Sequence, residues 1–207
     1  GLIGTDSICA REIAWAAAER CSAIVAPEIS YSPAPFNMSF PGTVSLTPAV
    51  FASVVKDVLT SLAHHGFERI YILNGHGANL GVLRDLEESF QQMVRVKSWW
   101  DFKPVNILRD QFYGDWEGMH ATPSEIAITQ DTHRIVRIDD LAPPEKLSPD
   151  YIAAHAGDKH GPPDAHRESF PDGRVGSHSG LAKAEHGKKL LKAAAHAVAE
   201  DCLSFFE

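Results

Sequence analysis

Residues 69–79 read RIYILNGHGAN, and this stretch decides the fold. Arg69 to Leu73 is a compact β-type run that stops at Asn74-Gly75-His76-Gly77, and a helical segment follows from about Asn79 to Met93. In an open α/β sheet, ligands bind outside the carboxyl ends of the strands, which is where NGHGAN falls. Gly75 and Gly77 allow a sharp turn and close approach of the backbone to a ligand, and His76 between them offers an imidazole able to bind a metal. Asn-Gly is equally a common turn dipeptide, so a plain turn and a ligand site are both open on spacing alone. No Gly-Lys-Ser/Thr follows and the G-x-G-x-x-G spacing is absent, which excludes a P-loop and a dinucleotide fingerprint.

Outward from this unit, strand and helix alternate. Asp6 to Arg20 reads as a helix that Thr5 or Asp6 could cap, and Ala23 to Ile29 (AIVAPEI) reads as a short buried strand. Ser30 to Pro41 is a proline-rich loop. Thr47 to His65 is helical, with Val50, Val54, Val58 and Leu62 on one face, Thr47-Pro48 at its start and Gly66 at its end. Val94 to Trp100 alternates, Val105 to Leu108 is a further short apolar run, and Ile135 to Ile138 is one more expected strand. Pro123 to Thr132 and the Ala/Lys-rich tail, Leu181 to Phe206, are helices. The alternation predicts an α/β layered domain with a largely parallel sheet. Leu141 to Gly180, dense in Pro, Gly, His and Asp, reads as a long irregular excursion near a site or an interface.

The 207 residues suit a single domain, and their formal charge of −8 argues against a nucleic-acid or anionic-membrane partner. Cys9, Cys21 and Cys202 are odd in number and form no CxxC pattern, so neither a disulfide framework nor a cysteine zinc site is expected. No signal peptide or membrane-length apolar run is visible, and a cytoplasmic location is expected.

Three further residues could carry chemistry. Asp6, in Gly-Thr-Asp at a helix start, is explained locally as an N-cap and could equally bridge two cations. In GMHATPSEIA, His120 lies in a loop and Glu125 in the first turns of a helix, a plausible base-and-ligand pair, although the helix dipole alone accounts for the glutamate. Asp, His and Glu without thiolates favour zinc, manganese or magnesium. Trp116, close to His120 in sequence, could line a pocket, while Trp99 and Trp100 read as core. His133, His155, His160, His166 and His196 show no ligand spacing, and His178 and His186 read as surface or interface residues.

Gly-Thr-Asp (4–6), Phe-Pro-Gly-Thr (40–43), His-Gly-Phe (65–67) and Asn-Gly-His-Gly-Ala-Asn (74–79) stand in the order found in the creatininase, or creatinine amidohydrolase, family. His120…Glu125 resembles that family's His-Ala-Gly-Glu-x-Glu-Thr-Ser segment, and 172–187 resembles its final glycine-containing turn and helix. The resemblance implies a three-layer α/β/α fold and a binuclear centre of Zn or Mn. It also implies hydrolysis of a C–N bond in a cyclic or linear amide, and a homo-oligomer, commonly a hexamer. It further implies that Asp6, His76 and Glu125 are metal ligands, that His120 transfers a proton or stabilises the transition state, and that Asn37 stands where many members have His. Ala78 replaces a glutamate ligand, Thr122-Pro123 replaces Gly-Glu, and Ile126-Ala127 replaces Thr-Ser, which disfavours creatinine itself as substrate. The family's N-terminal strand and its Glu-x-His-Gly segment, which supplies two more ligands, would lie upstream of residue 1. The alternatives are a lactone, formamide or peptide-like bond as substrate, or a non-catalytic oligomer subunit if the upstream ligands are natively absent.

Overall fold

The computed structural model describes residues 2–134 and 141–207, so the strand expected at Ile135–Ile138 lies outside the described residues. The elements are α1 (Thr5–Cys21), α2 (Pro48–His64), β1 (Ile70–Asn74), α3 (Leu80–Phe90), β2 (Val94–Ser98), α4 (Lys103–Tyr113), α5 (Pro123–Thr132), α6 (Pro149–Ala154), α7 (Pro163–Ser169) and α8 (Ala184–Phe206). β1 and β2 pair in parallel, Ile70 opposite Val94 through Asn74 opposite Ser98, with α3 as the crossover.

Period-two alternation along β1 sends side chains into two cores, one on each face of the sheet. Tyr71 and Leu73 pack on one side against Cys9 and Ile13 of α1, Val105 of α4, Ile128 of α5 and Leu190 of α8. Ile70 and Ile72, beside Val94 and Val96 of β2, pack on the other against Phe51, Val55 and Leu59 of α2 and Leu83 of α3. The expected α/β/α layering is therefore present around a small parallel sheet.

Four local expectations need correction. Ala23–Ile29 forms no ladder, and Ile24 is 83% exposed. Among the described residues no strand lies beside this segment; a cavity of about 1280 Å³ separates it from the free edge of β1. Val105–Leu108 belongs to α4, where Pro104 sits in the first turn and Val105, Leu108 and Phe112 fall on one helical face. On α2 the buried stripe is Phe51, Val55 and Leu59, whereas Val50, Val54 and Val58 are exposed. Both stripes have four-residue spacing, and the one containing the larger Phe51 faces inward. Finally, the excursion over 141–180 contains α6 and α7, whose starts are marked by Ser148-Pro149 and Pro162-Pro163.

The helix ends explain how the chain turns toward the site. Thr47 Oγ1 accepts from the Val50 N–H at 3.3 Å with Pro48 in the first turn. α1 is different: its N-cap is Gly4 with φ 80°, neither Thr5 nor Asp6 caps it, and the Asp6 carboxylate is left available. No helix among the described residues is long and apolar enough to cross a membrane.

Candidate active site

The loop after β1 is built around Asn74. Its buried Nδ2 donates to the His76 carbonyl at 2.9 Å and to Ser98 Oγ on β2 at 3.1 Å. Its Oδ1 accepts from the His76 N–H and from Asn79 Nδ2, both at 3.1 Å. One side chain thus satisfies the backbone of a turn just past the sheet and fixes His76 there. The turn read in NGHGAN is present, and this turn is what positions the histidine. Gly75 is needed because a Cβ there would overlap the Asp6 carbonyl, so the glycine admits the start of α1 to the carboxyl end of β1.

His76 is buried. Its Nε2 lies 3.0 Å from the Pro33 carbonyl, which requires the proton on that nitrogen, and its Nδ1 lies 3.0 Å from Asp6 Oδ2. Burial opposes the charged imidazolium, yet the Asp6 hydrogen bond and charge, with Asp158 and the Pro33 carbonyl, hold His76 up at about 9. Asp6, Gly75, His76, Gly77, His120 and Glu125 all line one cleft of about 210 Å³. The structure brings these sequence-predicted residues together from the loop after β1, from α1 and α5, and from the loop before α5.

Glu125 is the third residue of α5 and forms a capping box. Its Oε1 accepts from the Thr122 N–H at 2.8 Å, and the Glu125 N–H donates to Thr122 Oγ1 at 3.3 Å. Burial, and then the facing charge of Asp6, push its carboxyl to about 8. Thr122→Ala removes the cap and should lower stability by about 1 kcal/mol, read as a shift of the urea midpoint at constant slope. His120 is held just before α5, where its backbone bridges to Val175. Its Nε2 lies 3.3 Å from Asn37 Nδ2, and burial pushes its pKa below the ordinary histidine range.

Trp116 is not among the residues lining this cleft. Its ring meets His178 edge-on at 5.8 Å and carries Lys146 Nζ 4.8 Å above it. Other residues reach the site without having been singled out in the sequence. Asp158, from the excursion, lies 3.8 Å from His76 Nδ1, and His160 lies 3.4 Å from Asp158. Phe36, 2% exposed, is surrounded by the rings of His76, His120, His160 and His166 at centroid distances of 4.9–6.3 Å. Residue spacing does not reveal these contacts; the only signal was the density of His and Asp in 141–180.

The donor set fits a divalent cation. His76 has one nitrogen committed to a backbone carbonyl and the other turned toward carboxylate, an arrangement found around metal-binding histidines. Burial and the Asp6 charge favour the neutral Glu125 carboxyl, and a cation placed between the two acids would return it to the carboxylate form. As the side chains stand, no three or more His, Cys, Asp or Glu among the described residues are grouped so as to hold a metal ion.

Comparison with known proteins gives a consistent result. The model of the family Creatininase, described as creatinine amidohydrolase, matches residues 1–202. A curated creatinine amidohydrolase from Pseudomonas putida is 28% identical over 149 residues, which span 61% of this chain and 57% of that relative. The chain therefore aligns with little more than half the length of the relative. A crystal structure of creatinine amidohydrolase superposes with a TM-score of 0.70 at 23% identity, covering 96% of this chain and 81% of the other. A manganese creatininase gives 0.66 at 24% identity over 96% and 84%. A creatinine amidohydrolase-like protein from Bacteroides fragilis gives 0.65 at 21% over 97% and 80%. At these identities the structural matches speak for the fold.

Proposed function

The chain belongs to the creatinine amidohydrolase family, and from that membership we propose that it is a metal-dependent hydrolase of a C–N bond in a small cyclic or linear amide. The observation that carries the proposal is the convergence of Asp6, His76, His120 and Glu125 on one cleft beyond the end of β1.

Asp6 and His76 would hold a divalent ion, zinc or manganese, with Glu125 contributing a further carboxylate; the family resemblance implies two ions per subunit. Such an ion supplies Lewis-acid activation of water and of the scissile carbonyl. The chain's own residues do the rest. His120, kept neutral by burial, accepts a proton during attack and returns it to the leaving nitrogen. Asn37 Nδ2, 3.3 Å from Nε2, orients the resting ring, and this contact gives way when Nε2 takes the proton. Phe36 fills the space between the imidazoles and excludes water from their faces. Assembly with further copies of the chain belongs to the same reading, and the exposed Val50, Val54 and Val58 stripe of α2 is a face available for it.

The test is a panel of amides, lactams, lactones and formamides, assayed with Zn²⁺ or Mn²⁺ supplied. Amide hydrolysis that a chelator abolishes and the returned ion restores is the expected result. Turnover of lactones alone would move the assignment to ester chemistry on the same fold. Failure to take up either ion would end the reading.

A further inference from the structure

Ala78 places no donor beside His76, and the space next to Gly77 is filled instead from a distant part of the chain. The Asp158 carboxylate occupies the position that a Cβ on residue 77 would need. It is brought there by a turn in which Gly157 has φ 77° and Asp158 has φ 56°. Left-handed backbone at a non-glycine residue is uncommon, and aspartate is one of the few residues that tolerate it. The side chain is only 9% exposed, and no lysine or arginine pairs with it among the described residues.

The two carboxylates face one nitrogen. Asp6 Oδ2 stands 3.0 Å, and Asp158 Oδ2 3.8 Å, from His76 Nδ1. Donors around a tetrahedral ion with bonds of about 2.0–2.1 Å lie roughly 3.3 Å apart, so the two observed spacings bracket the one an ion requires. A second feature points the same way. The His160 side chain is 0% exposed, its Nδ1 has no hydrogen-bond partner among the described residues, and its Nε2 is turned to Asp158. Its Nε2 stands 3.4 Å from Asp158 Oδ1, the oxygen turned away from His76. An imidazole beside the outer oxygen of a carboxylate holds the inner oxygen toward an ion, as supporting residues do behind metal-ligating carboxylates.

We infer that Asp158 is a ligand of the divalent ion held by Asp6 and His76, and that His160 positions it. This rests on the hydrolase reading above for the existence of the ion and goes beyond it in naming the donor. The excursion over 141–180 is then a strap that closes the site, bringing a carboxylate to the cleft at a place where the residues following His76 offer none.

The test measures metal binding directly. Zn²⁺ is titrated calorimetrically into the metal-free protein, and Co²⁺ is added in parallel to record its visible absorption, which reports ligand number and geometry. Asp158→Asn, nearly isosteric, should weaken Zn²⁺ binding at least 10-fold and change the Co²⁺ band. Gly77→Ala, which pushes the same carboxylate aside without altering a donor, should reproduce the direction of both changes. His160→Gln should weaken binding less and leave the ligand number unchanged. Affinity and Co²⁺ spectrum unchanged in Asp158→Asn, while His76→Ala abolishes binding, overturns the role of Asp158 and leaves the hydrolase reading standing. Binding that survives His76→Ala overturns both.

Discussion

Replacing His120 by alanine should lower kcat for amide hydrolysis by about 10²–10⁴-fold, the range a positioned general acid–base supplies, while leaving metal uptake intact. The two readouts separate because His120 and the ion donors come from different parts of the cleft. Asp6 and His76 are fixed to one another at 3.0 Å, whereas His120 is fixed to Asn37. The direction of the pH profile follows from the same environment. Burial pushes His120 down, the charges of Asp158 and Asp6 pull it partly back, and the net result is below the ordinary value. The neutral ring therefore persists to lower pH than a free imidazole would allow, and the acid limb of kcat should lie below the ordinary histidine range. That limb should disappear in His120→Ala. A variant that retains wild-type turnover would remove His120 from the reaction. A variant that loses the ion along with turnover would make it structural.

The parts of this molecule legible in its sequence share a property: they depend on neighbours a few residues away. β1 and the loop after it were readable because an apolar run ends on Asn-Gly, and α5 because Thr122 or Ser124 can cap a helix whose first turn takes Pro123; the structure uses Thr122. Where the reading failed, the deciding partner was distant in the chain or the local signal was ambiguous. Ala23–Ile29 has strand composition, yet no ladder forms without a neighbour. The apolar face of α2 could not be chosen from period alone, since two stripes compete and only packing on Ile70 and Ile72 selects one. Asp158 and His160 are the strongest case. The density of His and Asp around them pointed only to a nearby site or interface; their roles come from His76, some eighty positions away. The family resemblance could carry Asp6, His76, His120 and Glu125 onto their positions because motif order survives. It had no motif with which to carry the strap.

Gly187→Ala should destabilise the protein by about 2–3 kcal/mol, the cost of overpacking a tight contact, against the sign that helix propensity predicts. Alanine is favoured over glycine within a helix by about 1 kcal/mol. Gly81, exposed in α3 with nothing within 4 Å of a Cβ built on it, should show that preference, and Gly81→Ala should raise stability by roughly 0.5–1 kcal/mol. Gly187 is helical too, but it is buried where α8 crosses α5, and a Cβ there would overlap the carbonyl of Ala127 and crowd the Ile128 N–H. The obstruction is backbone, which cannot rotate away as a side chain can. Relief requires α8 to move off α5, and α5 carries Glu125 at its first turn and meets Cys9 of α1 through the Glu125 carbonyl at 3.5 Å. The strain should therefore reach the cleft. Denaturant midpoints of the two variants, measured side by side, decide the matter. Opposite shifts support a close backbone crossing, and stabilisation in both would mean that α8 does not sit on α5 as described. In Gly187→Ala the affinity for Zn²⁺ should also fall, because α5, which loses its close support from α8, is the helix that supplies Glu125.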